Sequence, residues 1–90
     1  MIVTKRDGRT KKFKQERVEN AIRQAYEEVY GVTKTKNKCS EICDITYKVT
    51  KQVYSTYEYT VDVEQIQDIV VEALNKYDKV VANAYEKYRK

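Results

Sequence analysis

Val3-Thr4-Lys5-Arg6-Asp7-Gly8-Arg9 is the stretch on which the fold turns. Asp7-Gly8 is a strong short-range hairpin signal, because a type I′ turn needs positive φ at both central residues and glycine accepts it freely. A two-residue turn there predicts strands over 2–6 and 9–13, with Arg6 opposite Arg9, Thr4 opposite Lys11 and Ile2 opposite Phe13. Like charges directly opposite one another destabilise a sheet. A face carrying Arg6, Arg9 and Lys11 therefore calls for an anion against it. The rest of the chain reads as a small helical body that holds this hairpin.

The charge distribution points the same way. Residues 1–17 hold seven cations (Lys5, Arg6, Arg9, Lys11, Lys12, Lys14, Arg17) against Asp7 and Glu16, a net +5. The whole chain is +4, so the other 73 residues sum to −1. Such a local excess suits a polyanion: a nucleotide, a nucleic acid or an anionic membrane surface. A solvated basic surface is the plain alternative. Ninety residues make one small domain, with no room for a second. No apolar run approaches the roughly 18–20 residues of a membrane span, and no signal peptide is recognisable. The expected location is the cytoplasm, with no membrane partner.

Catalytic signatures are missing from the sequence. It has no histidine, which removes the Ser-His and Cys-His pairs and a four-ligand Cys/His zinc site. Cys39 and Cys43 stand at i and i+4, a spacing that rarely meets disulfide geometry on a helix. They read as reduced thiols, core-facing or at a helix edge. Gly8 and Gly31 are the only glycines, so no P-loop exists.

Working outward from the hairpin, Val18, Ala21, Ile22, Ala25, Tyr26 and Val29 form a one-sided stripe that predicts a first helix from about 15 to 30. Gly31 then serves as its C′ residue. Arg17 and Asn20, at i and i+3, share a face near its start. Residues 31–39 read as a polar loop. A second helix from Ser40 to Val53 or Tyr57 is marked by Ile42, Ile45, Val49 and Val53, with a strand over 53–59 as the local competitor. Residues 59–61 read as a short strand that adds to the hairpin. Asp62 and Gln65 form a capping box for a third helix over 63–76, with Val63, Ile66, Val70, Ala73 and Leu74 on its apolar side. Asp78 starts a fourth helix with Val81, Ala84, Tyr85 and Tyr88 on one side. Tyr26, Tyr77 and Tyr85 read as core edges with wet hydroxyls.

The opening Val3-Thr4-Lys5-Arg6-Asp7-Gly8-Arg9, followed by Phe13, Arg17-Val18 and Ala21-Ile22, resembles the start of an ATP-cone domain. Val63-Glu64-Gln65-Ile66-Gln67-Asp68-Ile69-Val70 is similar to that family's V-E-E-I-Q-D-x-V, and Ala82 with Ala84-Tyr85-Glu86-Lys87-Tyr88-Arg89 to its A-x-A-Y-x-x-Y-R ending. The resemblance spans the chain and implies one α+β domain over 1–90, a four-helix bundle capped by a small three-stranded sheet. It implies a regulatory, non-catalytic module that binds ATP or dATP between sheet and bundle, with Mg²⁺ as an accompanying ion. Such modules stand at the N-terminus of ribonucleotide reductases and in the repressor of their genes. The implied partners are a nucleoside triphosphate and either the catalytic domain of a parent reductase or a second copy of the chain.

Residue by residue, Lys5 and Arg6 match the family's phosphate-contacting pair, and Gly8 its turn. Arg17 stands where lysine is usual and adds a bidentate option. Val3 matches a wall of the base and Gln67 a position facing the nucleotide. Arg89 and Lys90 match the basic end of the last helix. Arg9, Lys11, Phe13 and Asn20 complete the expected nucleotide set. Two positions depart from the pattern: Lys11 occupies the place of a carboxylate that reads the adenine amino group, and Lys14 replaces an Asp N-cap. On this resemblance the chain is expected to be a regulatory domain of a longer reductase or a free-standing cone. A nucleic-acid-binding module and a docking domain without nucleotide binding are the rivals. Only Phe13 interleaves the hairpin's cations, which disfavours nucleic acid.

Overall fold

The computed structural model describes residues 1–88. Arg89 and Lys90, expected at the nucleotide, lie outside the described residues. The element order is β1 (Ile2–Thr4), β2 (Thr10–Lys12), α1 (Gln15–Lys36), α2 (Cys39–Thr56), β3 (Thr60–Asp62), α3 (Val63–Tyr77) and α4 (Lys79–Tyr88). The helices pack as a ring, with α1 and α3 each touching both α2 and α4. A three-stranded sheet of order β2-β1-β3 caps them.

The hairpin closes through three loop residues rather than two. Gly8 N–H donates to the Lys5 carbonyl (3.0 Å), and Lys5 N–H donates to the Arg9 carbonyl (2.7 Å). Only Gly8 takes positive φ (90°), so Asp7 is spared the left-handed region. The Asp7 carboxylate secures the bend, accepting from the Arg9 backbone N–H (3.0 Å) and from Arg9 Nε (2.7 Å). The register becomes Ile2↔Lys12, Val3↔Lys11 and Thr4↔Thr10. This is one residue off the two-residue expectation, and a one-residue slip exchanges the faces of a strand. Lys11 now shares a face with buried Val3, and Arg6 no longer stands opposite Arg9.

The third strand runs one residue later than expected and pairs in parallel with β1, Val3 against Val61. Val3 and Val61 are both buried, whereas Tyr59 is exposed and gives its carbonyl to Ile2 N–H (2.8 Å).

In α1 the expected stripe is inside: Val18, Ile22, Ala25 and Tyr26 are buried. Gly31 has φ 82° and ψ 162°, a region essentially restricted to glycine. The helix breaks there but does not end. Residues 32–36 resume helical turns because Thr35 is buried and its Oγ1 donates to the Gly31 carbonyl (2.8 Å). The polar loop expected over 31–39 is thereby reduced to a turn at Asn37 and Lys38.

Helix α2 starts a residue before Ser40, with Lys38 in the cap position. Ile42, Ile45, Val49 and Val53 are fully buried. The helix continues to Thr56, with Tyr54, Ser55 and Thr56 exposed beyond the stripe, so the competing strand over 53–59 does not form. Cys39 and Cys43 are free and exposed, not core-facing. Cys43 falls one position off the buried stripe, and Cys39 is the first residue of the helix.

For α3, the Asp62 backbone N–H donates to Gln65 Oε1 (2.9 Å), as the capping box predicts. Asp78 caps α4, its Oδ1 accepting from the N–H of Val80 (3.0 Å) and Val81 (3.3 Å). Val81, Ala82 and Tyr85 are buried on α4, whereas Tyr88 is 60% exposed.

Four tyrosines tie elements together through their hydroxyls, Tyr26 from the core and Tyr77 and Tyr88 at the surface. Tyr26 OH donates to Glu41 on α2, Tyr30 OH to Asp78, Tyr77 OH to Asp44 on α2, and Tyr88 OH to Glu28 on α1. Tyr26 is fully buried, and burial followed by the Glu41 carboxylate pushes its phenol well above the ordinary value.

Burial works to raise the Asp78 carboxyl, but the Tyr30 hydroxyl, the Val81 and Val80 amides and the Lys38 charge outweigh it and hold the group below its ordinary value. A carboxyl held low stabilises the fold fully above its unfolded value of about 3.9 and loses that contribution as pH falls through its folded value. Asp78→Ala is expected to cost about 0.5–2 kcal/mol near neutrality, the range for a lost N-cap. Urea titrations followed by circular dichroism should show the gap between variant and wild type narrowing as the pH is lowered into the acid range.

Candidate functional site

A cleft of about 170 Å³ opens between the sheet and the bundle. Its floor is apolar: Val3 from β1, Val18 and Ala21 from α1, Val63, Ile66 and Val70 from α3, and Tyr85 from α4, with Phe13 at the edge. Its polar lining is Lys11, Lys12, Lys14, Arg17 and Gln67. The parallel pairing of β3 with β1 creates this arrangement, because it lays the first turns of α3 across the sheet from the first turn of α1.

Lys11 projects from the inner face of β2 and is half-buried. Burial first, then the charges of Arg17, Lys5 and Lys14, push its ammonium below the ordinary lysine value. Lysine and arginine side chains donate only, and the described residues that line the cleft include no carboxylate. The polar side of the cleft therefore favours an anion.

A second recess of about 420 Å³ adjoins the first through Val63 and is lined by Lys5, Arg6 and Gly8 together with Asp62 and Glu64. Arg6 reaches from the hairpin tip to α3: its Nε lies 3.2 Å from Glu64 Oε1, and Nη2 donates to Gln67 Oε1 at 3.3 Å. Arg9 is held by Asp7 at the turn. The cations that press on one another are thus Lys5, Lys11, Lys14 and Arg17, not the Arg6, Arg9 and Lys11 of the two-residue register.

Of the residues singled out in the sequence, Val3, Lys11, Phe13, Arg17 and Gln67 line the cleft, and Lys5, Arg6 and Gly8 line the adjoining recess. Arg9 and Asn20 line neither; Asn20 is exposed and its Oδ1 accepts from Arg23 Nη1 (3.0 Å). Sequence reasoning missed Lys12 and Lys14 on the polar side and Val18, Ala21, Val63, Ile66, Val70 and Tyr85 on the floor. The spacing of Lys14 and Arg17, three residues apart at a helix start, was an available signal for the first group. The floor residues were visible as helix stripes, but periodicity does not say which end of a stripe borders a cavity.

Among the described residues no group of three or more Cys, Asp or Glu could hold a metal ion, and no helix is long and apolar enough to cross a membrane. The family model of the ATP cone domain matches residues 1–90. No curated protein matches the chain.

The crowding of cations makes a prediction that needs no ligand. Lys11→Met keeps an unbranched chain in the cleft and removes its charge. The variant is expected to unfold at higher urea than wild type at about 10 mM salt. The gain should shrink at about 1 M, where the Debye length falls from about 30 Å to about 3 Å.

Proposed function

Given that the chain belongs to the ATP cone domain family, whose members are nucleotide-binding regulatory modules and not catalysts, we propose that it binds ATP or dATP in this cleft. We further propose that it acts as the N-terminal activity-control module of a cytoplasmic ribonucleotide reductase. The observation that carries the reading is the cluster of Lys11, Lys14 and Arg17 beside an apolar floor with no lining carboxylate, with Lys5 next to them in the adjoining recess.

Pockets that enclose a drug-sized ligand run to about 300–1,000 Å³. A cleft of about 170 Å³ suits one ring system, with Val3, Val18 and Ile66 walling the base. The triphosphate would then run over the rim toward Lys5 and Arg6, with Arg17 able to grip it through two parallel bonds. Mg²⁺ would travel with the phosphates, supplying charge neutralisation there.

Drawing Arg6 onto a phosphate takes it from Glu64 and Gln67, both in the first turns of α3. Occupancy is thereby passed to α3 and, through its packing, to α4. ATP and dATP differ by one hydroxyl, so distinct regulatory outcomes would rest on a coupling of about 1–3 kcal/mol, ordinary for allosteric proteins.

Calorimetric titration with ATP and dATP tests the assignment, with GTP as control. Lys5→Ala, Arg6→Ala and Arg17→Ala are each expected to weaken triphosphate binding while leaving the helical circular dichroism unchanged. Wild-type protein at a hundred times the dissociation constant should gain about 2.7 kcal/mol of stability. Unaltered affinity in all three variants, or no thermal shift with any nucleotide, would turn the reading toward a docking module. X-ray scattering with ATP and then dATP reports whether the two ligands change self-association.

A further inference from the structure

The proposed function uses Lys11 only as a charge, yet its surroundings give its nitrogen a second capacity. Lys11 lines the apolar cleft together with Lys14 and Arg17 from the start of α1, and Lys5, from the hairpin, is near enough to bear on its charge. Across the cleft, α3 presents Gln67 and α4 presents Tyr85. None of these is a carboxylate that would hold an ammonium in its charged form. An amine attacks through its neutral form, so a lysine crowded by cations and half-removed from water is a better nucleophile at neutral pH than an exposed one. The same neighbours that disfavour its charge form a dock for a small dianion.

We propose that Lys11 is an acylation site whose acyl donor is a small acyl phosphate, the phosphate docking on Lys5, Lys14 and Arg17. The neutral Nζ attacks the acyl carbon, the N–C bond forms, and the bond from that carbon to the phosphate oxygen breaks. Inorganic phosphate leaves, and the proton lost from nitrogen passes to solvent or to the departing phosphate. The product is a neutral amide, so one cation is removed from the cluster and the methyl of an acetyl group meets the apolar floor. The modification would lower the cleft's attraction for any polyanion, which makes it a means of regulating the site. The proposal goes beyond nucleotide binding and does not require it.

The test uses the full chain with acetyl phosphate at neutral pH, followed by site-resolved mass spectrometry over time. Lys11 is expected to acquire the acetyl group several-fold faster than Lys51 and Lys76, exposed lysines on α2 and α3. Arg17→Gln, at an exposed position, should slow Lys11 toward the rate of those two, and Lys11→Arg should remove the fast site. A Lys11 rate no higher than that of Lys51 and Lys76, or one indifferent to Arg17→Gln, overturns the proposal. Saturating ATP separates this from the preceding reading. Fast acylation that ATP fails to slow would count against the nucleotide placement and leave the acylation site standing. Calorimetric ATP binding without a fast Lys11 would do the reverse.

Discussion

The placement of Val3 in the middle strand is the constraint from which the rest of the site follows. On one side it meets Lys11 across a local hairpin, and on the other it meets Val61 from far along the chain. Three-residue strands are too short to form a sheet that stands alone. This sheet persists because its inner face is buried on the bundle, with Val3 5% and Val61 2% exposed. Full burial of a valine contributes about 1.5–3 kcal/mol, enough to offset a good part of closing the long connection between β1 and β3. Because β3 runs directly into α3 and β2 leads into α1, fixing Val3 between its neighbours also fixes the first turns of both helices. The cleft is the space those two turns leave beneath the sheet.

The same register sorts the cations. Seven positive side chains crowd the first 17 residues, and an even spread of them would repel the hairpin apart. The three-residue loop sends Arg9 back onto Asp7 and Arg6 out to Glu64, so two charges at the tip are answered by carboxylates. Lys11 is instead turned inward beside Val3. There it meets Arg17 and Lys14, which are exposed while it is half-buried. The electrostatic cost thus falls on an ammonium at the cleft, where an anion has room to enter.

Much of this was legible in the chain. Helix spans followed from apolar stripes whose members, such as Ile42, Ile45, Val49 and Val53, all proved buried. Asp62 and Asp78 announced helix starts because capping is local chemistry. The hairpin register was not legible, since Asp-Gly suits both the two-residue and the three-residue loop. The choice between them rests on the Asp7–Arg9 contacts and on which face the bundle can cover. Gly31 was readable as a positive-φ residue but not as a break within a longer helix, because the burial of Thr35 that accompanies the resumed helix is a tertiary outcome that a polar stretch does not announce. The tyrosine partners were equally hidden: Tyr30 and Asp78 are 48 positions apart, and no periodicity joins them.

Those tyrosines also determine where the domain can yield. Helix α2 contributes nothing to the cleft lining, yet Tyr26 of α1 and Tyr77 of α3 both donate to carboxylates near its start. Two of the helices that wall the cleft are thus tied to a common buttress that does not line it, one of them through a fully buried ring. At the mouth the bridge to α3 is Arg6, in a pair whose side chains are 51% and 61% exposed. Exposed pairs contribute about 0–1 kcal/mol, far less than removal of a buried aromatic side chain would cost. An anion arriving at the mouth therefore competes with the weaker of the two fastenings. Its binding can shift the first turns of α3 relative to the hairpin while the α1–α2–α3 packing stays in register.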